Sequence, residues 1–168
     1  MRTVRRTLLI GLTLAATSSG LVACGSQPLR GASAIPTVPS SSAAGATVDL
    51  RTVSGLGRVL VTEQGRSLYL HTSDPKGTSN CSGYCAVVWP PLELKGKLRA
   101  GPGVQPSLLS THGRPSGAAQ VFYAGHALYT YQYDASAGMA TGEGVATYGG
   151  TWWLVSADGN PVKRALHS

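Results

Sequence analysis

The chain has 168 residues and a formal net charge of +7, with 14 Lys and Arg against 7 Asp and Glu. Three of the arginines lie within the first six residues, so the part from residue 24 onward carries 11 Lys and Arg against 7 acidic residues, a net charge of +4. These basic residues form no dense run and no stripe interleaved with aromatic residues, which argues against a nucleic-acid-binding protein. The 145 residues from position 24 onward are enough for one domain and short for two.

The N-terminal segment resembles the signal peptide of a bacterial lipoprotein. Its arginines precede an apolar run from Leu8 to Leu14, and small residues lead on to the sequence Leu-Val-Ala-Cys at positions 21–24. This sequence resembles a lipobox, which predicts cleavage after residue 23 and attachment of a diacylglycerol thioether to Cys24. An uncleaved transmembrane helix is the alternative, but the stretch Leu8–Val22 has only 15 residues, whereas spanning a bilayer takes about 20.

We therefore expect residues 1–23 to be a signal peptide, exported by the Sec or the twin-arginine route, and the mature protein to be held at the cell membrane by its lipid, facing the extracytoplasmic side. Residues 24–54 are rich in Ser, Ala, Gly, Pro and Thr. Such a segment buries too little apolar surface to offset the entropy of ordering it. The composition predicts a lipidated N-terminus and flexible tether over residues 24–54 and a folded domain over residues 55–168.

From residue 55 onward, short apolar runs alternate with turn signals, which predicts strands. Three pairs of runs share this arrangement: residues 58–62 with 67–71, residues 120–123 with 127–133, and residues 151–155 with 161–164. The third pair is joined through Asp158-Gly159, a favoured hairpin turn. Residues 85–89 predict a short helical turn that ends before Pro90. The Gly-, Pro- and Ser-rich segment 96–117 predicts a connection between two halves of the domain.

An internal repeat with an offset of 60 residues relates the first two pairs of strands. Its members are Gly65, Leu68, Tyr69 and Asp74 in one copy and Gly125, Leu128, Tyr129 and Asp134 in the other. The copies cover approximately residues 55–92 (copy one) and 115–160 (copy two). We therefore predict a mostly β fold: a compact, pseudo-symmetric domain of two β-hairpin repeats with short helical turns, in which each copy covers the apolar face of the other.

Several parts of the chain resemble a bacterial family of secreted lipoprotein repeats. They are the doubled Tyr-x-aromatic-x-x-Asp motif, the cysteine-containing segment 79–86 and the tryptophan-containing segments 89–92 and 149–153. The resemblance covers approximately residues 55–160. One departure is His71, which stands in copy one where the second aromatic residue of the motif belongs. Because the family is of unknown function, the resemblance implies a fold and an extracytoplasmic location but no reaction.

The cysteines form an even set once Cys24 is assigned to the lipid. Cys81 and Cys85 remain, and the oxidising exterior of the cell favours a disulfide between them. The alternative is a copper or redox site, in which both thiolates and a histidine such as His71 are soft ligands. His112, His126 and Met139 are further candidates for that role.

The repeated aspartates and the tyrosines at positions 129, 131 and 133 each allow two interpretations. Asp74 and Asp134 precede Gly-containing loops, where a carboxylate can accept backbone hydrogen bonds and fix a turn; a pair of catalytic acids is the alternative. The tyrosines alternate along one predicted strand face, so they either pack in the core or form an exposed row that binds glycans. We expect the structural role in both cases.

No Gly-x-Ser-x-Gly elbow, His-Glu-x-x-His pair or Walker A loop occurs in the sequence. We expect a non-enzymatic accessory or regulatory protein of the cell envelope that needs no cofactor. Its partners would be the membrane, through the N-terminal lipid, and a membrane sensor of envelope stress or another envelope protein. A copper- or redox-handling protein and a wall-glycan binder are the alternatives.

Overall fold

The structure is a computed structural model that describes residues 45–163. The predicted signal peptide, Cys24 and the predicted tether as far as residue 44 lie outside the described residues, as do residues 164–168. Among those that are described, no helix is both long enough and apolar enough to cross a membrane.

The described chain is built mainly of short strands, which confirms the predicted mostly β fold. Its elements in chain order are strands β1 (Gly45–Val53), β2 (Gly57–Thr62) and β3 (Tyr69–His71), helix α1 (Tyr84–Val88), β4 (Lys97–Ala100), a 3-10 turn (Pro106–Leu108), β5 (Leu109–Gly113), β6 (Ala119–Tyr123), β7 (His126–Ala127), β8 (Ala146–Thr147) and β9 (Gly150–Leu154). They form three three-stranded sheets, ordered β2-β1-β4, β3-β9-β8 and β5-β6-β7. All pairings are antiparallel except β1 with β4.

Strand β1 corrects the predicted extent of the tether, because residues 45–53 are folded. Val48 is fully buried, and β1 pairs with β2 on one side and β4 on the other. Apolar and polar residues alternate along this stretch, as in a strand with one buried face, and pairing with two neighbouring strands makes it part of the domain. The segment 96–117 is likewise more than a connection, since it contains β4, the 3-10 turn and β5.

The predicted turns are confirmed, whereas two predicted strands are too long. Of the run predicted over residues 161–164, Pro161 forms only an isolated bridge with Val155. Gly65, with φ +80°, turns the chain between β2 and the residue Ser67, which bridges to Val61. Strands β6 and β7 meet at Ala124-Gly125, where both residues have positive φ, as a type I′ hairpin requires. The strand predicted over residues 127–133 ends at position 127, because the chain leaves β6 there and enters the core. Helix α1 ends before Pro90, as expected.

The two copies meet at the tyrosine of the repeat motif. Tyr69 and Tyr129 form an antiparallel bridge and exchange both backbone hydrogen bonds, with N–O distances of 2.9 and 3.0 Å. Both tyrosines are fully buried, as are Trp89 and Trp152 beside them. The bridge therefore lies in a core that both copies share, which is the pseudo-symmetric arrangement that the repeat predicts.

Candidate functional site

The tyrosine of each copy is hydrogen-bonded to the aspartate of the other copy. The Tyr69 hydroxyl donates to Asp134 Oδ2 over 2.7 Å, and the Tyr129 hydroxyl donates to Asp74 Oδ2 over 2.5 Å. Burial, reinforced by these hydrogen bonds, raises the pKa of both tyrosines well above its ordinary value. Both phenols therefore stay protonated and keep donating, and the crossed pairs join the two copies.

The second oxygen of each aspartate closes the loop that follows it. Asp74 Oδ1 accepts a hydrogen bond from the backbone N–H of Asn80 over 2.8 Å. Asp134 Oδ1 accepts from the backbone N–H and the hydroxyl of Thr141 over 2.8 and 2.7 Å. Both carboxylates are buried, and each oxygen already accepts a hydrogen bond. This geometry places the two aspartates in equivalent turn-fixing positions rather than on an open surface.

Four rings stack through the middle of the shared core. Trp89 and Trp152 lie at the centre with centroids 4.0 Å apart, Tyr131 stacks on Trp89 at 4.1 Å, and His71 stacks on Trp152 at 4.1 Å. The histidine thus occupies, in copy one, the stacking position that Tyr131 has in copy two. A flat imidazole replaces a phenol without interrupting the stack.

The tyrosines at positions 129, 131 and 133 do not form the exposed row that the sequence allowed. Tyr129 is buried, Tyr131 is half-buried at the end of the stack, and Tyr133 is exposed. Their exposure increases from Tyr129 to Tyr133, and strand β7 ends at Ala127, before the first of them. A flat aromatic surface for a sugar ring is therefore absent from these three residues.

Three of the sequence candidates for a metal or redox site, Cys81, Cys85 and His71, lie around one cavity, whereas His112 lines a different one. Cys81 and Cys85 form a disulfide, and together with His71, Ser73, Asn80, Ser82 and Tyr148 they line a cavity of about 260 Å³. Nε2 of His71 lies 3.1 Å from the Thr147 carbonyl oxygen. Because a carbonyl can only accept a hydrogen bond, Nε2 carries a proton. The other ring nitrogen, Nδ1, lies 3.0 Å from the Ser73 hydroxyl. Within residues 45–163, no three His, Cys, Asp or Glu side chains are arranged to hold a metal ion.

Arg114 is a candidate residue that the sequence analysis missed. Its guanidinium donates to Ser79 Oγ, Gln120 Oε1 and the Cys81 carbonyl. It thereby joins the disulfide loop to strand β6. Its position in a Gly-, Pro- and Ser-rich segment gives no sequence signal for this role.

A donor chain leads from Arg114 to the centre of the repeat. Ser79 Oγ lies 2.6 Å from the Tyr129 hydroxyl. Because the single Tyr129 proton goes to Asp74, the serine must donate to the phenol oxygen. The chain therefore runs from Arg114 through Ser79 and Tyr129 to Asp74, and a cavity of about 450 Å³ opens beside its first member.

Large apolar side chains are exposed around helix α1. They are Tyr84, Val87, Tyr133 and Tyr148, here called the α1 patch. Tyr84 and Val87 share one helix face because they are three residues apart. Tyr148 lines the disulfide cavity at the start of the helix, and the backbone N–H of Gln132 donates to the Val88 carbonyl at its end. The patch therefore surrounds a short helix that is fixed at both ends.

Comparison with known protein families gives one match. The family described as a secreted repeat of unknown function matches residues 52–93 and 110–156, which together are more than half of the chain. The two matched segments correspond to the two copies predicted from the motif, so the resemblance is confirmed. The description places such repeats among secreted proteins. No curated protein and no solved structure matches the chain significantly.

Proposed function

We propose that this chain, which belongs to the family of secreted repeats of unknown function, is a lipid-anchored, non-enzymatic accessory protein of the cell envelope. Through the α1 patch it would contact the extracytoplasmic part of a membrane protein, such as a sensor of envelope stress. The observation that carries this proposal is the exposure of the patch: Tyr84 is 72% and Val87 58% exposed. An anchor at Cys24 would keep the domain within reach of such a partner.

The placement of the motif residues supports a role without catalysis. The tyrosines and aspartates of the repeat are buried and hydrogen-bonded to one another or to backbone. Side chains that are used in this way stabilise the fold and are not turned toward a substrate. A partner would therefore meet the surface of the domain, where the α1 patch offers aromatic anchors.

The α1 patch is suited to protein contact because its backbone is held in place. The disulfide joins Cys81 to Cys85, which lies within the helix, and the Gln132–Val88 hydrogen bond fixes the other end. A preorganised surface loses little conformational entropy when it binds. Tyrosines offer a partner an apolar ring together with a hydroxyl, a combination that is enriched in protein interfaces.

The experiment compares strains that carry the deletion, the wild-type gene, and a Tyr84→Ser, Val87→Ser double variant. Deletion should change the response of an envelope-stress reporter to wall-active antibiotics, and the double variant should behave like the deletion. A Lys97→Ser, Arg99→Ser variant on β4, also exposed, is the matched control and should behave like the wild type. Proximity labelling from the wild-type chain should mark a membrane protein that the double variant no longer marks. An unchanged reporter response after deletion would refute the proposal.

A copper- or redox-handling role is the second candidate, and the observation that favours it is the cavity shared by Cys81, Cys85 and His71. Binding would first need a dithiol reductant: two electrons and two protons convert the disulfide into two thiols, while the reductant becomes a disulfide. The resulting thiolates and the imidazole suit Cu(I). Thiol titration and metal analysis of the purified chain, before and after reduction and Cu(I) addition, test this. A chain that binds no copper after reduction would refute it.

A further inference from the structure

The cavity beside Arg114 has the size and lining of a small-molecule site. It measures about 450 Å³ and is lined by Thr78, Ser79, His112, Arg114, Gln120 and Phe122, among others. Ligand sites are typically about 300–1,000 Å³, with apolar walls and a few convergent polar groups. No acidic residue lines this cavity, whereas it contains a guanidinium and an imidazole. Its lining therefore favours an anionic ligand.

Arg114 has unused donors at this cavity. A guanidinium has five N–H groups, and three of those of Arg114 go to neutral acceptors on Ser79, Gln120 and Cys81. Within residues 45–163, Arg114 has no carboxylate within 4.0 Å. The nearest acid in its hydrogen-bonded chain, Asp74, is separated from it by two hydroxyl groups. Two N–H groups and most of the positive charge remain for a ligand.

The orientation of Arg114 is fixed before any ligand arrives. Gln120 is fully buried, and its Nε2 donates to the Leu128 carbonyl over 2.9 Å. The amide oxygen must therefore face the arginine, where it accepts a hydrogen bond. Ser79 and the Cys81 carbonyl fix the guanidinium from the other side. A preorganised guanidinium binds a planar anion with a small entropic cost.

An aromatic wall faces the rest of the cavity. The rings of His112 and Phe122 contact each other with centroids 4.4 Å apart, and Phe122 is buried. Gly77, with φ +77°, lies against the imidazole, at a position where an added Cβ would already touch the ring. The two rings are inclined at 42° and Phe122 is buried, so the exposed imidazole of His112 is the aromatic surface within reach of a ligand. An aromatic ring beside the polar groups suits a ligand with a flat apolar body.

From these observations we infer that the cavity binds a small organic carboxylate with a flat, apolar body. Its carboxylate takes the two unused N–H groups of Arg114, since guanidinium and carboxylate match in a bidentate pair. Its body lies against the exposed ring of His112. This site is separate from the α1 patch, so it extends the proposed function and does not depend on it.

Ligand-observed fluorine NMR on the purified full-length chain tests the site. The probe is 4-fluorobenzoate, and 4-fluorobenzamide serves as the uncharged molecule of the same shape. The wild type should broaden the benzoate signal and leave the benzamide signal unchanged. His112→Glu places a carboxylate in the cavity at an exposed position and should weaken benzoate binding by about tenfold or more, because two like charges then lie side by side.

Two further variants complete the test. Arg114→Gln removes the charge and should abolish benzoate binding, whereas Arg99→Gln, an exposed arginine on β4, should leave it unchanged. If Arg114→Gln fails to fold, His112→Glu decides the result, because that side chain lies at the surface. Equal broadening of both probes, no broadening of benzoate at millimolar concentration, or undiminished binding by His112→Glu would overturn the inference.

Discussion

Replacing the motif tyrosines with phenylalanine should separate the crossed hydrogen bonds from the packing of the rings. Tyr69→Phe keeps the ring in edge contact with Trp89, with centroids 5.3 Å apart, and removes only the hydroxyl that donates to Asp134. The Oδ2 atom of Asp134 then remains buried without that donor. Losing a hydrogen bond to a buried charged group costs about 1.5–3 kcal/mol.

The same change at Tyr129 removes the donor to Asp74 and also the acceptor of Ser79. We therefore expect each variant to lose about 2–3 kcal/mol of unfolding free energy. The larger loss is expected at Tyr129, because its second hydrogen bond, from Ser79, is 2.6 Å long, whereas the second one of Tyr69, from the Gly142 N–H, is 3.4 Å long. Domains of this kind have about 5–15 kcal/mol in total, so either loss is a large part of it.

Urea unfolding followed by tryptophan fluorescence measures the effect, because Trp89 and Trp152 lie in the stack beside these tyrosines. With an m value of about 2 kcal/mol per molar urea, the midpoint should fall by about 1 M in each variant. Tyr133→Phe is the matched control, since this tyrosine is 59% exposed, and a change of at most about 0.5 kcal/mol is expected. If both core variants also change by less than that amount, the crossed pairs do not hold the copies together.

Three further predictions concern the disulfide, alkaline pH and the anchor. A Cys81→Ser, Cys85→Ser variant should lose about 2 kcal/mol of unfolding free energy in the same assay, because the disulfide closes a short loop with a sequence separation of 4; an unchanged midpoint would contradict this. Burial and the aspartates raise the pKa of Tyr69 and Tyr129 in the folded state. The contribution of these tyrosines to the unfolding free energy is therefore complete below their unfolded pKa of about 10 and should decrease as the pH rises above it. A Tyr69→Phe, Tyr129→Phe variant should show a shallower fall between pH 9 and about 11. Cys24→Ala should abolish incorporation of a clickable fatty-acid analogue and release the protein into the medium, and continued incorporation would locate the lipid elsewhere.

The repeat could be predicted from the sequence because recognising it needs only the order and spacing of residues along the chain. An offset of 60 residues places Tyr69 and Tyr129 at equivalent positions, and each sits near a glycine turn that the sequence also predicts. The pairing of each tyrosine with the aspartate of the other copy could not be predicted in this way. It depends on the antiparallel bridge between the copies, which no local pattern encodes.

The errors of the sequence analysis have the same physical origin. Strand β1 alternates between apolar and polar residues but follows a Ser-, Ala- and Pro-rich segment, and its pairing with β2 and β4 makes it part of the domain. Arg114 lies in a segment that reads as a connection, and its partners at positions 79, 81 and 120 are distant in the chain or belong to another strand. In both cases the decisive contacts are tertiary, and composition carries no information about them.

The differences between the two copies indicate where the domain acts. The equivalent residues of the two copies contact one another, and the crossed tyrosine–aspartate pairs and the stacked rings stabilise the fold. The disulfide and helix α1 belong to copy one and have no counterpart in copy two, which contains no cysteine, and the Arg114 side chain is hydrogen-bonded to this disulfide loop. These are also the features that carry the exposed α1 patch and border the cavity beside Arg114. Since the symmetric residues serve stability, substitutions at the asymmetric ones should change binding with less effect on the unfolding midpoint, and the variants at Tyr84, Val87 and His112 are chosen on that ground.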